Sequence, residues 1–385
     1  MTTQSPRIVI AGAGFGGLAA ARHLRRALPR AEITLVAPED EFQYLPSLIW
    51  VPTGLRDGAE LRVPVSPWLK RLNVRFVRAH ASGIEQRTLR TSAGDVPFDG
   101  LVIATGGAWL KKLPGAQGVH GLCEGVDAAQ RARARLQELV RAGGGRLALS
   151  FATNPKEQGA LRGGPMFEML FGLDTWLRQQ GLRDRFSLTF FHASPMPGQR
   201  LGEQAVRALL ARMQRQGIET RLGVKLLGFE EQDVLLEGGE VLPSDLTLFI
   251  PGMRGQDWFA DTGLTLSPGG FIQADAHCRT SAHGIYVVGD GGSFPGPDWL
   301  PKQAHMAELQ AAAAAVNLAD ELQGRPPERV PRTELLCVVD SIDRGVLVWR
   351  TPTRNLMFGS RWLHAAKRGF EWHYLRALRA AARAH

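Results

Sequence analysis

The residues able to do chemistry fall into two sets. One is the glycine pattern GAGFGG, which follows the apolar run from Ile8 to Ala11 and opens the helix-like stretch LAAARHLRRAL. Each glycine there has a mechanical role, since Gly12 makes the tight turn, Gly14 lets the backbone approach a pyrophosphate, and Gly17 lets the helix pack closely on the strand. The helix N-terminus then offers free N–H groups and a positive dipole end to the phosphates. The other set is sulfur: Cys123, Cys278 and Cys337 are the three cysteines of the chain. An odd number at wide spacing suits neither a disulfide framework nor a zinc site, so no metal centre is expected and each is a structural thiol or a redox participant.

These groups need elements to position them. After the first helix, AEITLVAPED reads as the second strand of a βαβ unit. The ribose-binding acid is expected about 20 residues beyond the glycines. Ala37 stands there; Glu39 and Asp40 follow, and each reads either as a ribose ligand or as a solvated turn residue. The strand LVIATGG, Leu101 to Gly107, ends in the small-residue turn Ala104, Thr105 and Gly106, of the type that closes over a nucleotide. Far downstream, IYVVGDGG ends at Gly289 and Asp290, whose carboxylate faces a polyol chain or caps the next helix.

Between these segments lies a second alternation of β and α: RLALSFA, a helix from Pro165, SLTFF, and a helix from about Glu203 to Gln216. No glycine fingerprint accompanies it. The polar stretch TNPKEQGALRGG separates strand from helix where a pyrophosphate turn needs the helix almost at once, and His192 ends the next strand in place of a ribose acid or phosphate-binding arginine. A tight NAD(P)H site is therefore not expected. The fold class is α/β, with two Rossmann-like, glutathione-reductase-like dinucleotide-binding domains and a C-terminal amphipathic helical region. The expected division is 1–107 and 246–322 for the first domain, 108–245 for the second, and 323–385 for the tail.

With 385 residues the chain exceeds a single core. It has no apolar stretch near the roughly 20 residues of a membrane span, and no leader precedes the first strand, so the cytoplasm is the default compartment. The net charge of +9 is concentrated toward the end. There Arg354, Arg361, Lys367, Arg368, Arg376, Arg379 and Arg383 face the single acid Glu371 and interleave with Trp362, Leu363, Ala366, Phe370, Tyr374 and Leu378 at helical spacing. Such a tail fits a helix lying on an anionic bilayer, a dimerisation helix, or one packed on its own protein. No nucleic-acid module accompanies the charge.

With IVIAGAGFGG, EDEFQYLPSLIWVPTG, LVIATGG, GIYVVGD, PKQAHMAE (Pro301 to Glu308) and CVVDSIDRG (from Cys337), the chain resembles the sulfide:quinone oxidoreductase and flavocytochrome c sulfide dehydrogenase flavoproteins over nearly its whole length. The resemblance implies bound FAD, with Gly12, Gly14 and Gly17 at the pyrophosphate and Asp290 on the ribityl chain. Lys302 would lie near the pyrimidine end of the flavin, stabilising the reduced ring. It implies electrons passing from sulfide or a thiol-like donor to a quinone, a peripheral place on the inner face of the cell membrane, and a homo-oligomer as an open alternative.

In that family sulfide attacks a disulfide beside the flavin, which requires two cysteines. Cys337 matches the later one. The earlier should fall in the loop before GGPMFE, near Arg162, where no cysteine occurs. Cys123 loosely resembles a third, outer-loop cysteine, and Cys278 reads as a buried structural residue. His120, His192 and His305 read as proton relays or as structural residues. The alternatives are a type II NADH:quinone oxidoreductase and a flavin-binding electron-transfer subunit without the sulfide chemistry.

Overall fold

The computed structural model describes residues 5–383. In it the apolar runs become parallel strands and small-residue helices cover them. β1 (Arg7–Ala11), α1 (Phe15–Ala27), β2 (Glu32–Ala37), α2 (Ser66–Arg71), β3 (Val74–Arg78) and β4 (Gly100–Ile103) begin the first unit. Ile8, Val9, Ile10 and Ala11 are buried on both faces of the sheet, as a central strand of a covered parallel sheet must be. The stripe Leu18, Ala20, Ala21 and Leu24 fastens α1 to it.

The second unit follows as α3 (Val126–Arg141), β5 (Gly145–Phe151), α4 (Gly164–Gln179), β6 (Phe186–His192), α5 (Glu203–Arg215), β7 (Glu219–Leu222) and β8 (Leu246–Ile250). Its sheet runs β7-β6-β5-β8, all parallel. The unit thus extends one strand beyond the expected boundary at 245, because Leu246–Ile250 pairs with β5 rather than with the first sheet.

The chain then returns. β9 (Ile285–Val287) pairs with β4 and completes the order β9-β4-β1-β2-β3. A short antiparallel pair, Ala108–Trp109 with Met253–Arg254, ties the outgoing and returning strands together. α6 (Ala304–Leu322) lies against α1, and its buried Ala311, Ala314 and Ala315 let the two helices approach closely.

The tail is not wholly helical. β10 (Leu335–Asp340), β11 (Gly345–Arg350) and β12 (Asn355–Ser360) form an antiparallel meander before α7 (Trp362–Ala382). Val338, Val339, Val346 and Val348 supply the β-branched residues that favour strands there. α7 buries Leu375, Leu378 and Ala381, and its lone acid Glu371 is buried against Arg56 at 2.9 Å. Trp362, Phe370 and Trp372 remain exposed, at 69%, 65% and 57%, so the helix both packs on its own protein and presents an apolar outer face. Among the described residues, no helix is long and apolar enough to cross a membrane.

Candidate active site

Two backbone turns meet behind the first cavity. Gly12 has φ +111°, and a Cβ there would fall onto the Ala104 carbonyl and lie 2.9 Å from the Thr105 nitrogen. A Cβ on Gly17 would likewise fall onto the Gly12 carbonyl, whereas one on Gly14 would meet nothing within 4 Å. Gly12 and Gly17 are therefore steric necessities of the strand–turn–helix junction, and Gly14 leaves open space in front of it. No side chain caps the N-terminus of α1, so its first N–H groups are free to meet an anion.

Opposite this turn, Gly289 is left-handed at φ +71° and donates its N–H to the Gln310 side chain at 2.8 Å, which fixes the end of β9. Asp290 follows and pairs with Arg162. The Lys302 ammonium donates to the carbonyls of Asp290 at 3.0 Å and Gly292 at 2.8 Å, and lies 3.9 Å from the Phe271 ring centroid. Burial pushes Lys302 down to about 8, against the pull of Asp290.

One cavity of about 1200 Å³ gathers these groups. Gly12, Gly14, Glu39, Ala104, Thr105, Gly106, Gly289, Asp290, Lys302 and Cys337 all line it. Gly17 does not; it sits behind the wall, at the helix–strand contact. Asp40 is also elsewhere: its carboxylate accepts from the N–H groups of Val65 and Ser66 and from the Ser66 hydroxyl, so it holds the start of α2 and is no ribose ligand. Glu39 stays at the rim, 3.3 Å from Arg78 and largely exposed.

The wall suits a dinucleotide-sized flavin. The glycine turn is shaped for a pyrophosphate, and the buried Thr105 hydroxyl, Arg162 Nε and Gln303 Oε1 have no protein partner. Unpartnered buried polar atoms are costly unless something else satisfies them.

Cys337 lies in the same cavity on β10, its sulfur 3.4 Å from where a Cβ on Gly164 would sit. Burial, then the nearby Glu168, pushes its thiol up to about 12. Glu168, one turn into α4, is itself pushed up to about 7 by burial, although Lys367 pairs with it. Its carboxylate also accepts from the Asp340 N–H at 3.2 Å; the Asp340 side chain accepts from Trp50 Nε1 at 2.6 Å and contacts His364 Nδ1 at 3.0 Å. Sequence reasoning missed this network, which joins residues far apart in the chain. The acid in GGPMFE was its one visible signal.

No cysteine stands at Arg162, near which the resemblance places the earlier redox cysteine. The Arg162 guanidinium pairs with Asp290 and lies 5.8 Å from the Trp109 ring centroid. All three cysteines are free thiols; Cys123 lines the cavity with Cys337, and burial raises it to about 11. Cys278 is fully buried in the core. His305 pairs with Glu334 at 2.8 Å, and His192 is buried 4.5 Å from the Phe151 ring.

In the second unit, β5 ends at Phe151 and α4 starts only at Gly164. The intervening loop folds back, with Asn154 donating to the Met253 carbonyl at 2.8 Å and Glu157 accepting from the Ser267 hydroxyl. It carries Arg162 across to Asp290. A second cavity, of about 1280 Å³, lies at the ends of β5 and β6.

The family described as Pyridine nucleotide-disulphide oxidoreductase matches residues 6–312. The sulfide-quinone reductase of Aquifex aeolicus (strain VF5) is 26% identical over 97% of this chain and 91% of its own length. The type II NADH:quinone oxidoreductase of Staphylococcus aureus (strain NCTC 8325 / PS 47) is 22% identical over 91% of this chain and 92% of its own. The X-ray structure of the sulfide:quinone oxidoreductase from the hyperthermophilic bacterium Aquifex aeolicus superposes with a TM-score of 0.89 at 23% identity, covering 98% of this chain and 92% of that one. The fold class and the resemblance read from the sequence are borne out. The chain belongs to the pyridine nucleotide-disulphide oxidoreductase family and is a flavin-dependent oxidoreductase.

Proposed function

We propose that the protein binds FAD in the first cavity and passes electrons from sulfide, or a related sulfur donor, to a quinone. The observation that carries this reading is that the glycine turn, Asp290, Lys302 and Cys337 line one continuous cavity. Gly12 and Gly14 with the α1 N-terminus would hold the pyrophosphate, Glu39 would approach the ribose, and the free Asp290 oxygen would take the ribityl hydroxyls. When bound, FAD supplies two-electron redox chemistry between donor and acceptor. In the overall reaction hydrosulfide loses two electrons to become zero-valent sulfur, and the quinone gains two electrons and two protons.

The chain's own residues divide the remaining work. Cys337 presents a neutral thiol to the donor face, and Glu168 beside it can hold or release a proton near neutral pH. Cys337 would act alone with an external thiol as acceptor, or with Cys123 after loop movement, since no cysteine stands near Arg162 in the chain. The cavity also reaches Phe370, Tyr374 and Leu378 of α7. That helix sets Trp362, Phe370 and Trp372 outward beside Arg361 and Arg376, a combination that suits docking on an anionic bilayer, from which a quinone would enter.

Anaerobic titration of the yellow holoprotein tests the reading. Sulfide should bleach the flavin and a short-chain quinone should restore it. A flavin that sulfide leaves oxidised would refute the donor assignment, and rapid bleaching by micromolar NADH would favour the type II NADH:quinone alternative.

A further inference from the structure

The second cavity carries charge, at Arg200 and Arg350, that the proposed electron transfer does not use. It shares Arg200, Asp290, Lys302 and Gln303 with the first cavity, so the two communicate through one wall. Three cations line it: Arg200, Lys302 and Arg350. Among the described residues, none of the three lies within ion-pair distance of a carboxylate. Arg200 donates to the Asp298 carbonyl at 3.3 Å, and Arg350 donates to the Arg200 carbonyl at 2.9 Å while its guanidinium lies 4.8 Å from the Trp299 ring centroid. Lys302 has only its two carbonyls.

The acids nearby are already engaged or face solvent. Asp290 is held by Arg162, Glu157 accepts from Ser267, and Asp298 is exposed. Burial lowers Arg200 to about 10 against the pull of Asp298, and lowers Lys302 to about 8 against the pull of Asp290 and Glu157. Desolvated cations with no carboxylate in direct contact favour an incoming anion. The unpartnered Gln303 oxygen lies in the shared wall. A dinucleotide is poorly served, because the loop before α4 replaces the phosphate turn and His192 is packed among aromatic rings at the end of β6.

We propose that the second cavity is an anion-binding chamber for a small molecule carrying a thiolate, carboxylate or sulfur-oxyanion group, which it passes to the wall shared by Lys302 and Asp290. The proposal rests on the proposed function only in taking this as the donor's side of the flavin, and it gives the donor's charge class.

Calorimetric titration of the oxidised holoprotein with sodium thiosulfate, a probe that binding alone reports, tests it. One saturable site per chain is expected, with affinity weakened about tenfold, equivalent to ~1.4 kcal/mol, in Arg200→Met. Arg200→Lys should keep most of the binding, and Arg350→Gln serves as the second variant if Arg200→Met does not fold. Absence of saturable binding, unchanged affinity in the foldable charge-removing variants, or displacement by micromolar NADH would overturn the proposal. Reoxidation of photoreduced holoprotein by a short-chain quinone is measured in parallel. It fails only if the quinone reading fails, so the two outcomes remain separable.

Discussion

The two Rossmann-like units use the same strand–helix grammar and finish it differently. In the first, two residues lie between the end of β1 and the Gly14 cap of α1, and the glycine turn leaves room for a phosphate. In the second, a folded loop replaces that turn and sends Arg162 into the neighbouring unit. A shared architecture thus preserves the strand ends as a place where ligands gather while the connecting loop decides which ligand is admitted. One unit ends its first strand in an open glycine turn; the other gives its loop to the wall of its neighbour's cavity.

The largest contrast should come from glycine. Gly17→Ala, which forces a Cβ into backbone, should abolish flavin retention, read as the ratio of 450 nm to 280 nm absorbance in the purified protein. Gly159→Ala, in the loop of the second unit, would meet only the end of the flexible Arg200 side chain at 2.8 Å and should retain flavin. Equal loss in both would erase the distinction between the units.

Asp290→Asn comes next, because it strands Arg162 where the units join. Both side chains are mostly buried, at 18% and 12% exposure. Breaking such a pair should destabilise the flavin-free protein by about 3 kcal/mol, measured from urea unfolding. An unchanged unfolding midpoint would mean that the inter-unit pair is dispensable.

Cys337 gives a pH signature. Its thiol is raised above the ordinary value, so the reactive thiolate stays scarce below about 12 and iodoacetamide labelling should be slow at pH 8. The rate should climb about tenfold per pH unit with no plateau through pH 10. A plateau near neutrality would reveal an activated thiolate and a donor site better prepared than its burial indicates. The smallest effect on the fold should follow Trp362→Ser with Trp372→Ser. Both residues are exposed, so thermal stability should hardly move, whereas co-sedimentation with phosphatidylglycerol vesicles should fall.

The turns around the first cavity were legible in the sequence because their determinants are covalent neighbours. Gly12, Gly14 and Gly17 shape one turn, and Gly289 with Asp290 ends one strand. Asp40 misled because a carboxylate after a strand serves equally well at a helix start, and only the fold brings Val65 and Ser66 to it. The pairs Arg162–Asp290 and Glu168–Lys367 join separate units and tail, so no local spacing announces them. The meander before α7 escaped notice because the basic helical pattern dominated the tail.

The order of the first sheet has a consequence for how the protein is made. β9 is its edge strand beside β4, yet the whole second unit is synthesised between them, and α7 closes the cavity from the end of the chain. A ribosome therefore finishes the second sheet before the first, and the glycine turn waits beside an incomplete wall through most of translation. Closure of the cavity wall around the glycine turn therefore waits until α7 has been made.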